Sequence, residues 1–523
     1  MKVSLIISAD IGDSYGFNIL AAQLKKLPYV EARLFYIFYK FNEPYPQNAI
    51  DELAELCRGS DLIGISLLSS AFKNSKEITT ALREKIGAPI IWGGKHPSAD
   101  PEECIKYADM VCLSEGEDTL LEIIENMKAG KPVDEIQGLW SKSGDKIIRN
   151  PLRPLEANLD KYFFPDYSLE NKYTLDKKTL KMRPLEEKDL ESMRKWYPTM
   201  MTRGCPNCCT FCTNSSDLRL RKLRSRSVGN VIREVKEFLK IYPDTEKVFF
   251  RDDCISSMPL DFIREFSRRW KKEIGLPCSN SGVIATSDDF DEKIRLLTEG
   301  GMVDFKMGIQ SGCERVRRFV FARVGETDVV IKKATAVLNA RRRGKINYYM
   351  ITDNPYESEE ELVQSIRFTS RVMRPFSLSL YSLNFYPGTP IYNRAFRDGI
   401  LTDKEATLQE STMYLKNTYL NKVFLALRYF EIPPFLVDFL TWRRIYLKNG
   451  WQKFFDKLFK FVFKSETPHR EVGKPKLKKI IKKLINKKRL DLKEFTRWLF
   501  WIVIGSSFRA WHRLFVVYNR DNA

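Results

Sequence analysis

Short apolar runs alternate with helical patterns over the first 145 residues, and this alternation limits the fold more than any other feature of the chain. The runs are Val3–Ile7, Leu34–Tyr39, Leu62–Leu68, Pro89–Trp92 and Met110–Leu113, with helical spacing between them, as at Ile50–Cys57 and Ile78–Ile86. Strands that alternate with helices predict a doubly wound parallel sheet with helices on both faces. Such sheets bind ligands beyond the C-terminal ends of their strands, so we expect a site at the loops that follow them.

The same alternation returns in residues 196–400. Strand candidates there are residues 198–203, 247–251, 277–285, 304–309, 345–351 and 377–386. Six βα units predict a second α/β domain, a partial (βα)6 barrel with its chemistry at the C-terminal strand ends. Residues 146–195 contain four prolines and have weak periodicity, so we interpret them as a linker. Residues 401–523 are predicted to be a mainly helical C-terminal region.

Four of the ten cysteines fall within eight residues, just after a predicted strand. Three of them have the spacing C-x3-C-x2-C, namely Cys205, Cys209 and Cys212. Zinc sites usually draw four ligands from paired Cys or His residues, whereas three thiols in one loop suit an iron–sulfur cluster with one iron left without a protein ligand. A structural or zinc-binding cysteine cluster is the less favoured alternative.

With these cysteines the chain resembles the radical S-adenosylmethionine (SAM) superfamily, and more closely its cobalamin-binding branch. The resemblance covers roughly residues 1–400. It implies that Cys205, Cys209 and Cys212 hold a [4Fe–4S] cluster, that SAM chelates the fourth iron, and that reductive cleavage of SAM gives a 5′-deoxyadenosyl radical. Cys208 is additional to the family pattern, and we interpret it as an uninvolved thiol.

Further segments match the radical SAM pattern in order. They are residues 248–254 (VFFRDDC), 281–287 (SGVIATS), 308–312 (GIQSG), 350–358 (MITDNPYES) and 385–390 (FYPGTP). The resemblance implies SAM contacts from Phe211, Asp252, Asp253, Ser287 and Gln310. Gln310 replaces the family's Glu, which keeps the hydrogen-bonding capacity and removes a charge. Segment 350–358 lacks the family's leading Gly, and the two aspartates alone would more often belong to a solvated loop or helix cap.

Residues 93–99 (GGKHPSA) and 114–118 (SEGED) resemble the cobalamin-binding domain of the same branch. The resemblance implies cobalamin contacts from the following residues: Ser66, Ser69, Gly93, Gly94, His96, Glu115 and Gly116. The Asp-x-His-x-x-Gly motif of classical cobalamin enzymes is missing from the sequence, because Gly94 precedes His96 and Ala99 follows it. A histidine ligand to cobalt from this loop is therefore not expected.

The positive charge of the chain is concentrated at its C-terminal end. Of the net charge of +20, residues 451–523 supply +13, from 19 Lys and Arg against 6 Asp and Glu. Within them, Leu477, Ile480, Ile481, Leu484 and Ile485 form an apolar stripe opposite many lysines, and Trp498 and Trp501 follow. This pattern favours peripheral contact with an anionic membrane. A solvated helical cap on the barrel stays open as an alternative, and nucleic-acid binding is the least favoured interpretation.

The leading hypothesis is a cobalamin-dependent radical SAM enzyme that methylates an unactivated carbon of a small-molecule or lipid-like substrate. One rival is a radical SAM cyclase or oxidoreductase without methyl transfer, and another is a non-catalytic iron–sulfur protein that senses redox state or docks at membranes. The family resemblance also implies an external electron donor of the flavodoxin or ferredoxin type. Because no apolar run reaches about 18 residues and the N-terminus lacks a signal-peptide pattern, we expect a cytoplasmic protein, with the tail at the inner membrane face.

Overall fold

The computed structural model describes residues 1–39, 43–280, 282–284, 288–402, 414–447, 450–453 and 456. Two mainly parallel sheets dominate these ranges, each covered by helices. The apolar stripe at Leu477–Ile485 and the rest of residues 457–523 lie outside the described residues, as does Ser287. In the part of the chain that the structure describes, none of the helices combines the length and apolar character needed to cross a bilayer.

The first sheet has nine strands in the order β7-β6-β5-β4-β3-β1-β2-β8-β9. They are β1 (Lys2–Ile7), β2 (Glu31–Tyr36), β3 (Leu62–Ser66), β4 (Ile90–Gly93), β5 (Met110–Cys112), β6 (Leu139–Ser143), β7 (Lys146–Arg149), β8 (Lys172–Leu175) and β9 (Met182–Pro184). The central strands pair in parallel, with Ile7 opposite both Tyr36 and Ser66. The strand order reverses at β1, so this sheet is doubly wound as predicted.

Both faces of this sheet are buried beneath helices. The helices are α1 (Tyr15–Leu24), α2 (Gln47–Cys57), α3 (Phe72–Lys85), α4 (Lys95–Ala99), α5 (Pro101–Tyr107) and α6 (Glu117–Lys128). Val3 and Leu5 of β1 belong to one hydrophobic core, together with residues of α1 and α6, while Ile6 belongs to the other, with α2 and α3. Burial on both faces explains why the strands appear in the sequence as continuous apolar runs.

Residues 146–195 are more regular than the linker that the sequence suggests. Strands β7, β8 and β9 extend the first sheet at its two edges, and α7 (Glu191–Lys195) leads into the second sheet. The apolar pattern is interrupted at Lys172 of β8, whose ammonium group is buried and donates to the main-chain oxygen of Asp166 at 2.6 Å. Because this buried strand begins with a lysine, it cannot be predicted from a run of apolar residues.

The second sheet confirms the predicted six βα units. Its strands are β10 (Trp196–Thr199), β13 (Lys247–Phe250), β14 (Cys278–Asn280), β15 (Met302–Gln310), β16 (Ile346–Thr352) and β17 (Ser377–Ser382), paired in parallel in this order. A short antiparallel pair, β11 (Thr202–Arg203) and β12 (Arg224–Ser225), stands beside it. This open sheet is the partial barrel expected from the sequence.

Helices cover the outer face of the second sheet and continue beyond it. They are α8 (Val228–Ile241), α9 (Leu260–Glu273), α10 (Phe290–Gly300), α11 (Asp328–Arg341), α12 (Glu359–Arg371) and α13 (Pro390–Arg397), followed by α14 (Tyr419–Tyr429), α15 (Pro434–Leu440) and α16 (Arg443–Tyr446). Ser358 caps α12 in a capping box with Glu361, as its position before the helix predicts. The core on the outer face is continuous with the α1 and α6 side of the first sheet, so the two sheets share one hydrophobic core.

Candidate active site

The cysteine loop, residues 204–223, connects β11 to β12 in the antiparallel pair beside the second sheet. It begins at Gly204, where φ is +97° and a Cβ atom would lie 2.6 Å from the main-chain oxygen of Leu220, so another residue would clash. The amide of Cys205 donates to the same oxygen at 2.8 Å. These contacts close the loop at its base.

The thiols of this loop differ in environment. Cys209 is buried, and Cys205, Cys208 and Cys212 are half-buried. Burial raises the pKa of Cys212 to about 12, while a hydrogen bond with Cys254 lowers the pKa of Cys205 to about 7. Among the described residues, no three His, Cys, Asp or Glu side chains converge closely enough to bind a single metal ion. Three thiols on one short loop remain a donor set of the kind that iron–sulfur clusters use, and their assignment as cluster ligands stays a prediction.

A buried arginine contacts the cysteine loop from the segment after β15. Arg323 donates to the Cys209 sulfur at 3.5 Å and to the main-chain oxygen of Gly308 at 2.8 Å, and it pairs with buried Glu326. Thr210 donates through its hydroxyl to the oxygen of Val320 at 2.6 Å, which fixes the loop against the same segment. Sequence reasoning missed Arg323, because no spacing pattern links it to a cysteine 114 residues away.

The two adjacent aspartates after β13 face different surroundings. Asp252 is buried and accepts hydrogen bonds from the amides of Met201 and Thr202, at 3.0 and 2.6 Å, and from the Thr202 hydroxyl. Burial raises its pKa to about 6. Asp253 instead faces the cysteine loop and accepts from the Asn214 amide at 2.7 Å. Asp253 therefore faces the cysteine loop, whereas Asp252 is held by the backbone of Met201 and Thr202, and the contacts of both with SAM stay predictions.

Two further predicted SAM residues are Phe211, within the cysteine loop, and Gln310, at the end of β15. The Phe211 ring packs edge-on against Phe321, with ring centroids 5.0 Å apart. Gln310 ends β15 with φ +68°, a left-handed conformation that is uncommon for a residue with a side chain. Its contact with SAM stays a prediction, as does that of Phe211.

A cavity of about 550 Å³, hereafter the cofactor cavity, separates the strand ends of the first sheet from the cysteine loop. From the first sheet it is lined by five of the predicted cobalamin residues, namely Ser66, Gly93, Gly94, Glu115 and Gly116. From the second it is lined by Cys212, Asn214 and Asp253, among others. The structure thus brings the two predicted cofactor sites to opposite walls of one cavity.

The glycines of this cavity suit a large flat ligand. Gly94 has φ +105°, and a Cβ atom there would lie 2.9 Å from the main-chain oxygen of Leu67. The bare backbone at Gly93, Gly94 and Gly116 lets a ligand approach the strand ends closely. The residues present therefore fit a corrin on the first-sheet wall.

The other two predicted cobalamin residues lie behind this wall. His96 is buried, its Nδ1 atom lies 3.1 Å from the Ser69 hydroxyl, and its ring packs on Phe72. Its Nε2 atom is buried without a hydrogen-bond partner among the described residues. Burial lowers the pKa of His96 to about 4, so the ring is neutral near pH 7. His96 is therefore not among the residues that line the cofactor cavity, and the absence of a histidine ligand to cobalt stays a prediction.

Ion pairs and polar contacts tie the two walls together. Glu115 accepts two hydrogen bonds from Arg224, at 2.9 and 2.6 Å, and lies 3.4 Å from Arg203. Lys95 donates to Asn214 at 2.8 Å, which extends the contact of Asn214 with Asp253. Glu115 therefore bridges to β11 and β12, the two strands that flank the cysteine loop, a role that no local sequence pattern indicates.

Comparison with known proteins agrees with this two-part site. The family model for the radical SAM superfamily matches residues 199–369, and that for the B12 binding domain matches residues 2–124. An uncharacterized methyltransferase of Pyrococcus horikoshii is 26% identical over 350 residues, covering 65% of this chain and 70% of the relative. Bacteriochlorophyllide d C-8(2)-methyltransferase of Chlorobaculum tepidum is 21% identical over 414 residues, covering 74% and 80%.

Two solved structures share the fold. The radical SAM methyltransferase TsrM of Kitasatospora setae, solved with tryptophan and a SAM analogue, has a TM-score of 0.61 at 16% identity and 76% coverage of each chain. The cobalamin-dependent radical SAM enzyme OxsB has a TM-score of 0.60 at 16% identity, covering 93% of this chain and 75% of its own. With both models matched and their residues placed around one cavity, the chain joins a B12-binding domain to a radical SAM domain.

Proposed function

We propose that this chain is a cobalamin-dependent radical SAM methyltransferase that methylates an unactivated carbon. One observation carries the proposal. The glycine-lined strand ends of the first sheet and the cysteine loop of the second face each other across the cofactor cavity. A methyl carrier and a radical source must both reach one carbon, and this arrangement gives them a shared space. The methyltransferases among the relatives support the same activity.

The residues present fit three cofactors on this site. Cys205, Cys209 and Cys212 would hold the [4Fe–4S] cluster, Asp253 would meet SAM beside it, and the first-sheet wall would hold cobalamin. When bound, the cluster and SAM supply hydrogen abstraction, and cobalamin supplies a transferable methyl group. Arg323 donates a hydrogen bond to the Cys209 sulfur, and Asn214 holds the Asp253 carboxylate toward the loop. Buried Asp252 fixes the backbone at Met201 and Thr202, from which the loop departs.

Product analysis of the reconstituted protein separates this function from its rivals. With cluster, cobalamin, reductant and SAM present, we expect both 5′-deoxyadenosine and S-adenosylhomocysteine. A protein that forms 5′-deoxyadenosine alone would be a radical SAM enzyme without methyl transfer. A protein that forms neither, although its cluster is intact, would be a non-catalytic iron–sulfur protein. Cys209→Ala serves as the control and should abolish 5′-deoxyadenosine.

The basic tail supports a finer proposal, that the enzyme works at an anionic membrane surface on a membrane-proximal substrate. The support is the sequence alone: lysines opposite an apolar stripe between Leu477 and Ile485, with tryptophans following. These residues lie outside the described part of the chain. The external electron donor is likewise proposed from the family resemblance.

A further inference from the structure

One polar chain crosses the cofactor cavity from the first-sheet wall to the segment after β13. Lys95 begins α4 on the first-sheet wall, and its ammonium group donates to the side-chain oxygen of Asn214 at 2.8 Å. The side-chain nitrogen of Asn214 donates in turn to the Asp253 carboxylate at 2.7 Å. All three residues line the cofactor cavity. Two hydrogen bonds therefore connect the wall that would hold the corrin with the carboxylate that would meet SAM.

The backbone that carries Lys95 is held firmly on the first-sheet wall. The amide of His96, the next residue, donates to the main-chain oxygen of Leu67 at 3.3 Å. The Ser98 hydroxyl donates to the main-chain oxygen of Gly94 at 2.7 Å, which closes the turn around Lys95. Because Gly94 is one of the predicted cobalamin residues that line the cavity, Lys95 belongs to the same stretch of wall on which a corrin fits.

The other end of the chain depends on the Asn214 amide. Asn214 is buried in the cysteine loop, two residues after Cys212. Asp253 is exposed at the cavity, and among the described residues Asn214 is the one side chain that donates a hydrogen bond to its carboxylate. An ammonium group can only donate and a carboxylate can only accept, so an amide between them has one favourable orientation. Lys95 therefore helps to fix Asn214, and Asn214 orients Asp253.

The contact of Lys95 with Asn214 is the part of this chain that a ligand in the cavity would change most. Lys95 is exposed, and a long exposed side chain loses conformational entropy when it keeps one hydrogen bond. A corrin on the first-sheet wall would restrict the other conformations of Lys95 and exclude water from this contact, and exclusion of water strengthens a hydrogen bond. Cobalamin would thereby hold Asn214, and through it the Asp253 carboxylate, in the observed position.

We propose that Lys95 is a positioning residue that makes the binding of cobalamin and the binding of SAM mutually favourable. Acting through Asn214, it holds the Asp253 carboxylate where SAM would meet it, and it does so more firmly when cobalamin is bound. Linkage makes the effect reciprocal, so SAM tightens the binding of cobalamin by the same factor. The radical source is thus completed preferentially when the methyl carrier is present. This inference rests on the proposed function, because it concerns the two cofactors of that reaction.

Isothermal titration calorimetry tests the proposal on the full chain with its cluster reconstituted and kept oxidised, so that SAM is not cleaved. SAM is titrated with and without saturating hydroxocobalamin, and hydroxocobalamin with and without saturating SAM. We expect each ligand to lower the dissociation constant of the other about 10-fold. Lys95→Met should remove most of this factor, and Lys95→Arg should restore it, because arginine also donates to an amide oxygen.

Two further variants complete the design. Lys85→Met removes an exposed lysine that pairs with Asp51 in the same domain, so it is the matched control and should leave the factor unchanged. Asn214→Leu should remove the coupling as Lys95→Met does. If the two residues act in series, the double variant should lose no more coupling than either single variant. Visible absorbance confirms that each variant carries its cluster.

Independent binding of the two ligands by the wild-type chain would overturn the proposal. Coupling that survives in Lys95→Met would overturn it as well, because the cofactors would then influence each other by another route. SAM binding that Lys95→Met weakens equally with and without hydroxocobalamin would show that Lys95 acts without any link to the corrin, which also contradicts the proposal.

The same protein separates this inference from the proposed function. A wild-type chain without coupling that still forms S-adenosylhomocysteine under reducing conditions would reject the inference and leave the function in place. A chain that shows the expected coupling and forms no S-adenosylhomocysteine would instead reject the proposed function.

Discussion

Arg323 is a buried cation within hydrogen-bonding distance of a predicted cluster ligand, and Glu326 neutralises it. A positive donor near a thiolate stabilises the reduced, more negative cluster, whereas a carboxylate opposes that effect. Arg323→Gln should therefore lower the midpoint potential of the cluster, and Glu326→Gln should raise it. A hydrogen-bond difference of about 1 kcal/mol between redox states corresponds to roughly 40 mV for one electron.

Potentiometric titration followed by electron paramagnetic resonance measures both shifts. Arg318→Gln is the matched control, because Arg318 lies on the same segment in an exposed pair with Glu314. Shifts of the same sign in Arg323→Gln and Glu326→Gln would show that the pair acts through packing or solvent access and not through charge.

The four clustered cysteines should not be equivalent. We expect anaerobic reconstitution to give about four irons per chain, held by Cys205, Cys209 and Cys212. Alanine at any of these three positions should abolish both the cluster and SAM cleavage, and Cys208→Ala should leave both largely intact. Iron analysis with visible absorbance measures the outcome. A cluster lost in Cys208→Ala and kept in Cys209→Ala would mean that a different triplet binds it.

His96 makes folding sensitive to acid. Its pKa is lowered to about 4 by burial, whereas an unfolded histidine titrates near 6.5, so the unfolded state holds more protons between these values. The stability contributed by neutral His96 is complete above pH 6.5 and is lost as the pH falls toward 4. At pH 5 the free energy of unfolding has fallen by about 2 kcal/mol from its value at high pH. Chemical unfolding at pH 7 and 5 should show a smaller acid loss in His96→Gln than in the wild type, and an equal loss would contradict the burial argument.

At the scale of elements, the loop after β5 and the strand β12 depend on each other. Glu115 pairs with Arg224, whose side chain is only 4% exposed, so Glu115→Gln leaves a buried guanidinium without its countercharge. We expect a loss of about 3 kcal/mol in the free energy of unfolding, and weaker cobalamin binding because the cavity wall loosens. Denaturant unfolding and corrin titration measure the two effects.

A second bidentate pair in the same domain provides the control. Glu102 accepts two hydrogen bonds from Arg149, at 2.9 and 2.8 Å, with both side chains exposed. Exposed pairs contribute about 0–1 kcal/mol, so Glu102→Gln should change little. An equal loss of stability in the two variants would show that burial of the Glu115 pair is not what makes it strong.

The strands could be predicted from the sequence to within a few residues, because parallel strands buried on both faces leave continuous apolar runs. Strand β8 could not, since it has only four residues and begins with buried Lys172, whose partner Asp166 is recognisable only in the fold. The Cys triplet and the glycines were likewise visible as local patterns. The different surroundings of Asp252 and Asp253, and the contacts of Glu115 with Arg224, depend on how distant segments meet, and no local pattern encodes that.

At the scale of the molecule, two cavities adjoin at one ion pair. The cofactor cavity joins the first sheet to the cysteine loop, and a second cavity of about 800 Å³ is lined by strands β10, β13, β14 and β15 of the second sheet, with Asp13 and Arg251 lining both. Each cavity takes walls from both sheets, so neither domain alone would form the site. The hydrophobic core that the two sheets share therefore also fixes the walls of both cavities relative to each other.

The basic tail bears on where in the cell the whole enzyme works. If residues 474–504 bind anionic lipid, the full chain should co-sediment with anionic vesicles at low salt. The bound fraction should fall as the salt concentration rises. Burial of the Leu477–Ile485 stripe contributes about 0.8 kcal/mol per CH2 group, and each nearby Lys or Arg about 1 kcal/mol before screening, so both contributions are needed for firm binding.

Two variants of the full chain separate these contributions. A Leu477→Ser and Ile481→Ser double variant should reduce vesicle binding at every salt concentration, because it removes apolar contact. A Lys478→Gln and Lys482→Gln double variant should reduce it mainly at low salt, because it removes charge that salt already screens. Circular dichroism confirms that each variant is folded. The wild-type chain could fail to co-sediment with anionic vesicles at low salt. The tail would then serve as a cap on the protein, and the proposal of a membrane-proximal substrate would lose its support.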